Sequence, residues 1–197
     1  MEEKTLTRCA WCEANDLLRR YHDEEWGVIR HDDRVHYENL LMEAMQCGLS
    51  WNLVLQKREI LRQCFAGFDY NQVALFTDAD VQRILSTKGM IRSEKKIRAV
   101  IGNTKVFRQI QQEYGSFDKY IWNFTDNKII IFQGGQPTQC DASRRFGEDL
   151  KKRGAKFLGP VVLHSHMEAL GLIMAHDPAC WRYQEFMASK PENIIYC

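Results

Sequence analysis

Apolar positions recur at helical spacing along most of this chain. In "VHYENLLMEAMQCGLSWNLVLQKREILRQCF", Leu40, Leu41, Ala44 and Met45, followed by Leu53, Val54 and Leu55, fit a 3.6-residue repeat with a break near Gly48. "DADVQRILSTKGMIRSEKKIRAVIGNTKVFRQIQQEYG" predicts two helices joined by a short turn. In the second, Ile97, Val100, Ile101, Thr104 and Phe107 make one stripe, and Ser93 stands where an N-cap is expected. "FTDNKIIIFQGGQPTQCDAS" is the one stretch that reads as strand or loop. "RRFGEDLKKRGAKFLG" and "PVVLHSHMEALGLIMAH" then resume the helical pattern. With four prolines, no low-complexity linker and no internal repeat, nothing divides the chain. The pattern predicts one all-α domain over residues 1–197, built as two helical lobes.

Composition narrows the class. Hydrophobic residues make up 45% and charged residues 27%, as in an ordinary globular protein. No apolar run reaches the roughly 18–20 residues of a membrane span. The polar opening "MEEKTLTRC" resembles neither a signal nor a transit peptide, so a cytoplasmic protein is expected. Seven cysteines are an odd number, too sparse for a disulfide scaffold, and fit a reducing compartment. A net charge of +1 means that any affinity for nucleic acid must come from local patches.

Three groups of residues could carry chemistry. Cys9 and His22 near the start, with His176 and Cys180 in "AHDPACW", make up a Cys2His2 set. Such a set could hold a tetrahedral zinc ion with no position left for water, a structural site. Separate buried cysteines and surface histidines would give the same letters. Cys12, which makes a C-x2-C pair with Cys9, and His164 and His166 are further candidates. "LSTKGMIRSEKKI" has the form of a helix-hairpin-helix. Gly89 would free the turn, and Lys88, Arg92, Lys95 and Lys96 would surround backbone amides suited to a DNA phosphate; an ordinary helical hairpin with solvated lysines is the plainer alternative. Trp11, Tyr21, Trp26 and Trp51 cluster in sequence around Glu43, a carboxylate at the edge of an apolar helix face. Aromatic walls with one acid suit a flat cationic base; a core of tryptophans with Glu43 in an ion pair is the alternative.

Taken together, "RCAWC…YHDEEWG…E…GLSW…KRE", "GMIRSEKKIRAVIGN", "LKKRGAKFLGP" and the closing His and Cys resemble the DNA-3-methyladenine glycosylase I family. These are constitutive bacterial enzymes of the helix-hairpin-helix superfamily, and the resemblance runs over about residues 8–180. It implies an all-α glycosylase fold of two lobes, with a helix-hairpin-helix at about 78–110 and double-stranded DNA held between the lobes. It implies a structural zinc on Cys9, His22, His176 and Cys180, leaving Cys12 a bystander. Glu43 would hydrogen-bond the methylated adenine, Trp51 would stack on it, and Trp11, Tyr21 and Trp26 would line the site. Leu49 would approach the gap left by the extruded base, and Lys88, Gly89 and Arg92 would meet the DNA backbone. The implied activity is base excision repair of alkylation damage: a monomeric, monofunctional hydrolase of the N-glycosyl bond of N3-methyladenine. No lyase activity is expected, since no aspartate follows the hairpin where the wider superfamily has one.

The chain departs from the family pattern at Leu18, where well-known members have a tyrosine. It departs again in "SHMEALGLIMAH", where Glu168 replaces glutamine and Met174–Ala175 replace Asn-Asp. These changes leave open a rival reading, a divergent member that binds damaged DNA without cutting it or with altered base preference.

Overall fold

The computed structural model describes residues 6–197. The first helices are α1 (Asp16–Glu24), α2 (Asp33–Gln46), α3 (Trp51–Gln56), α4 (Arg58–Cys64), α5 (Tyr70–Val73) and α6 (Asp78–Ser86). The long α7 (Glu94–Tyr114) and α8 (Phe117–Trp122) follow, then strand β1 (Ile129–Ile131), α9 (Asp141–Lys152), α10 (Pro160–Ala169), β2 (Ile173–Met174), α11 (Trp181–Ala188) and β3 (Ile194–Tyr196). Local chemistry sets many of these boundaries. Asn15, Asp32, Ser50 and Ser93 each accept a backbone N–H as N-cap, and Thr77 with Asp80 forms a capping box. No described helix is long and apolar enough to cross a membrane.

Helix α2 is the centre of the molecule. From Leu40 to Met45 every residue is buried, because α3, α7, α8 and α10 pack around it. The α7 stripe lies where its spacing predicts: Ile97, Val100, Ile101, Thr104 and Phe107 are all buried. Thr104 Oγ1 lies 2.8 Å from the Tyr37 hydroxyl, and Phe107 stacks on Phe117 with ring centroids 4.3 Å apart.

The expectation of an all-α fold needs correction. Among the described residues the helices are joined by a small parallel sheet of order β2-β1-β3, with Ile130 paired to both Ile173 and Ile195. The central strand is buried throughout, so its apolar run "III" lacks the alternation of a half-exposed strand. The segment read as one helix to His176 also divides. α10 ends at Ala169; the Leu172 N–H donates to Met167 O at 2.9 Å, and Gly171 adopts φ +76°. This is a glycine-closed helix end. An added Cβ there would lie 2.8 Å from Gly27 O, so the glycine also permits a close approach of two backbones. The chain then enters β2, which absorbs Met174; Met174 and Ala175 are both buried.

Candidate active site and metal centre

Glu43 points inward from α2 and is 3% exposed. No side chain among the described residues pairs with its carboxyl, and Oε2 is buried with no partner. The ion pair offered as the plainer alternative is therefore absent. Burial first, and the Glu168 carboxylate second, push the Glu43 pKa up to about 8. Tyr21 from α1 lies close enough for the Glu43 charge to raise its phenol further above the usual range, after the main effect of burial.

The aromatic residues form a chain. Tyr21 and Trp51 have ring centroids 5.5 Å apart, Trp11 lies 6.4 Å from Tyr21, and Trp26 meets Trp11 edge-on at 5.0 Å. Tyr21 and Trp51 line a cavity of about 180 Å³ together with Asn39, Met42, Ala169 and Leu170 and with Arg30 and the ion-paired Arg58, Glu25 and Glu38; Glu43 lies on the Tyr21 side but is not itself part of the cavity wall. Trp11 and Trp26 stand behind Tyr21 and contact His22 and His176. Leu18, at the departure from the family tyrosine, is buried core.

Two residues of this region are not marked for the pocket by the sequence: Asn39 carries no signal, and His166 reads there only as a further candidate metal ligand. Asn39 lies one turn before Glu43 on α2 and reaches the cavity wall. Its Oδ1 is 2.6 Å from Nδ1 of His166, which is fully buried. Burial, then the neighbouring His36, holds His166 well below the usual imidazole range. The ring is thus neutral and can donate from Nδ1, fixing the Asn39 amide. The partners are 127 residues apart, so only the fold brings them together.

Cys9, His22, His176 and Cys180 also converge, and all four are buried. Cys9 Sγ lies 3.7 Å from His176 Nδ1, Cys180 Sγ lies 3.4 Å from His22 Nε2 and 3.7 Å from His176 Nδ1, and the two ring nitrogens are 3.2 Å apart. A tetrahedral ion bound at about 2.3 Å to sulfur and about 2.0 Å to nitrogen requires S···N near ~3.5 Å and N···N near ~3.3 Å. The quartet fits such an ion. Its outer contacts are those of ligand histidines: His22 Nδ1 is 2.8 Å from Asp23, and His176 Nε2 is 3.1 Å from Trp26 O. Cys12 is buried beside the quartet but outside it, with its thiol donating to Cys9 O. His164 and His166 lie elsewhere. His176 and Cys180, four residues apart, do not share a helix turn. Pro178 falls between them, and Cys180 N–H donates to Asp177 O at 2.8 Å in a tight turn before α11.

At the hairpin, Lys88, Gly89 and Arg92 are exposed between α6 and α7, as is Lys95 in the first turn of α7, and Gly89 has φ +83°. Lys96 does not belong with them. It is buried, and its Nζ donates to Met45 O at 2.8 Å and to Cys47 O at 2.6 Å, closing the C-terminal end of α2. The Lys96 bonds anchor the backbone just before Gly48 and the half-buried Leu49, so hairpin and α2 loop form one connected surface.

The sequence profile described as Methyladenine glycosylase matches residues 11–183. DNA-3-methyladenine glycosylase 1 of Escherichia coli (strain K12) is 38% identical over 182 residues, covering 90% of this chain and 97% of that protein. A crystal structure of 3-methyladenine DNA glycosylase I superposes with TM-score 0.84 at 39% identity, covering 89% of this chain and 98% of that one. A tyrosine-to-phenylalanine variant of 3-methyladenine DNA glycosylase I, solved in complex with 3-methyladenine, gives TM-score 0.85 at 31% identity over 94% of this chain and 98% of that one. Sequence and fold agree over nearly the whole length, and the chain belongs to the methyladenine glycosylase family.

Proposed function

We propose that this protein is a DNA-3-methyladenine glycosylase, which hydrolyses the N-glycosyl bond of 3-methyladenine in alkylated DNA during base excision repair. The observation that carries the reading is the Glu43 carboxyl, buried and unpartnered beside the Tyr21–Trp51 wall in a chain of this family. A buried acid without a partner costs folding free energy, and a cationic ligand removes that cost.

The chemistry follows from that pocket. The target base must leave the duplex stack to be reached. Methylation at N3 makes the base cationic and weakens its bond to the sugar. Tyr21 and Trp51 would hold the ring by stacking and cation–π attraction. The base cation lowers the Glu43 pKa, so the acid releases its proton on binding and the carboxylate accepts from the exocyclic amino group. Asn39, its oxygen held by His166, presents its NH2 to the neighbouring acceptor nitrogen. An adenine edge offers that donor–acceptor pair, whereas guanine places a carbonyl where Glu43 needs a donor. The site is thus set for 3-methyladenine over 3-methylguanine. With no covalent nucleophile required, no lyase activity is expected. The test is chromatographic: free 3-methyladenine released from methylated duplex DNA by wild type, with the yield sharply reduced in Glu43→Gln. No release by folded wild type would move the rival reading ahead, a divergent member that binds damaged DNA without cutting it or prefers another base.

Zinc is the ion proposed for Cys9, His22, His176 and Cys180; its thiolate and imidazole donors suit that ion, and the tetrahedral spacing leaves no place for substrate. When bound, zinc supplies structural cross-linking rather than chemistry. Lys88, Gly89 and Arg92 are proposed to meet the DNA backbone and Leu49 to approach the gap left by the flipped base. The chain is proposed to act as one domain, as a monomer, in the cytoplasm.

A further inference from the structure

The loop between α9 and α10 carries two adjacent apolar side chains. Leu158 is buried, whereas the Phe157 ring before it is 38% exposed. Phe157 also holds its backbone at φ +59°, a left-handed conformation that strains a bulky residue and that glycine would take freely. Such strain persists only where the surroundings over-determine it.

The surroundings here do so. Asn103 of α7 clamps the preceding residue with both ends of its amide. Nδ2 donates to Lys156 O at 2.8 Å, and the Lys156 N–H donates to Oδ1 at 2.8 Å. The Cys47 thiol donates to Phe157 O at 3.4 Å. Asn103 follows Lys96 by seven residues, so the two project from one face of α7, about 10 Å apart. Lys96 holds the end of α2 through Met45 O and Cys47 O. One face of α7 thus fixes both the Phe157 loop and the loop that carries Leu49, and Cys47 links the two. The neighbourhood is cationic. Lys151, Lys152 and Lys156 are exposed and make no ion pair among the described residues, while Arg153 is taken up by Asp149 and Glu113. Lys95 extends the charge along α7 towards the hairpin.

We propose that Phe157 is a second wedge of the DNA interface: its ring enters the base stack beside the extruded nucleotide, while Leu49 approaches the gap itself. The proposal rests on the glycosylase reading. A rigid, exposed aromatic ring among free lysines suits a polyanion with flat apolar faces inside, which is duplex DNA. Opening a base step is costly, and stacking of the ring on the exposed base offsets that cost. A ring already fixed by its clamp loses little freedom when it inserts. Insertion succeeds where the stack is already interrupted, so Phe157 favours a duplex with a missing or extruded base over an intact one.

The experiment uses the full chain and three duplexes of one sequence: intact, carrying a tetrahydrofuran abasic analogue, and carrying the analogue with 2-aminopurine in the next base step. Wild type is expected to prefer the abasic duplex and to raise the 2-aminopurine fluorescence as that base unstacks. Phe157→Ala should weaken abasic-duplex binding about tenfold, change intact-duplex binding less than about twofold and remove most of the fluorescence rise. Phe157→Tyr keeps the ring and should retain both signals. Phe157→Gly should match Phe157→Ala; glycine accepts the backbone conformation, so this variant separates loss of the ring from loss of the loop. Wild-type preference and fluorescence in either ring-less variant would overturn the proposal and leave the glycosylase reading intact. A wild type that releases 3-methyladenine yet does not prefer the abasic duplex would also overturn the wedge alone. A wild type that does neither would remove the glycosylase reading and the wedge with it.

Discussion

The metal quartet and the base pocket lie at opposite ends of one aromatic chain, yet treat their polar atoms in opposite ways. At the quartet, all four candidate ligands face one another and the histidines have fixed outer partners in Asp23 and Trp26 O. Beside the pocket, Glu43 Oε2 and Trp51 Nε1 are buried with no hydrogen-bond partner among the described residues. A satisfied polar cluster adds stability and rigidity; an unsatisfied one stores a cost that a ligand can relieve. The difference assigns structure to the first and recognition to the second, and it can be tested from both sides.

The largest effect is expected at the quartet. It joins residues from both ends of the chain, with Cys9 and His176 167 positions apart. Chelation of the metal, or Cys180→Ser, should lower unfolding free energy on the order of 3 kcal/mol or more, with loss of one zinc per chain by mass spectrometry. Base release per folded molecule should stay within about twofold, because a structural ion takes no part in chemistry. A folded, fully stable Cys180→Ser protein would remove the structural assignment.

Glu43→Gln should show the opposite profile. Base release is expected to fall on the order of 10²-fold in kcat/KM. Stability should rise. Folding lifts the Glu43 pKa from 4.5 to about 8, so its ionisation weighs against the folded state. The associated stability is complete below about pH 4.5 and is lost as pH rises through 8. The variant should therefore gain on the order of 1–3 kcal/mol at pH 8 and nothing at pH 4, as measured by denaturant unfolding. A variant less stable than wild type at pH 8 would show that Glu43 has a partner in the free protein.

Asn39→Leu extends the comparison within the pocket. It removes a donor but leaves the carboxylate, so 3-methyladenine release should fall about tenfold and discrimination against 3-methylguanine should shrink. His166→Phe should act in the same direction more weakly, since it frees the amide without removing it.

Much of this arrangement was legible in the sequence because it depends on local pattern. The α7 stripe and the Ser93 cap follow from spacing, and Glu43 stands out as an acid beside an apolar face. What was not legible depends on contacts between distant segments. The Asn39–His166 bond leaves no periodic trace. Lys96 reads as one of several hairpin lysines, yet its long side chain reaches back to the carbonyls that end α2. The two residues of β2 sit in an apolar run that helix and strand share equally, and only their pairing with Ile130 and Ile131 decides between them.

At the hairpin the expected effects are smaller. Lys88→Ala and Arg92→Ala should each weaken DNA binding a few-fold regardless of sequence and lower the salt dependence by about one counterion. Neither should alter Tm or the release of base at saturating DNA, which separates the DNA surface from both quartet and pocket.

The smallest effect belongs to Glu168. Its charge is the second cause of the raised Glu43 pKa, after burial. Glu168→Gln removes that charge and leaves the burial, so the Glu43 pKa should fall while staying well above 4.5. The shift should be on the order of half a unit to one unit, since two carboxylates in a partly buried site interact by about that much. If the Glu43 carboxylate is the form that receives the cationic base, the acid limb of the activity profile moves to lower pH by the same amount, and activity at pH 6 rises a few-fold. An unchanged profile would mean that Glu43 acts in its protonated form or that Glu168 is neutralised by His164. The two are separable, because in the second case His164→Gln would expose the Glu168 charge and move the acid limb upward.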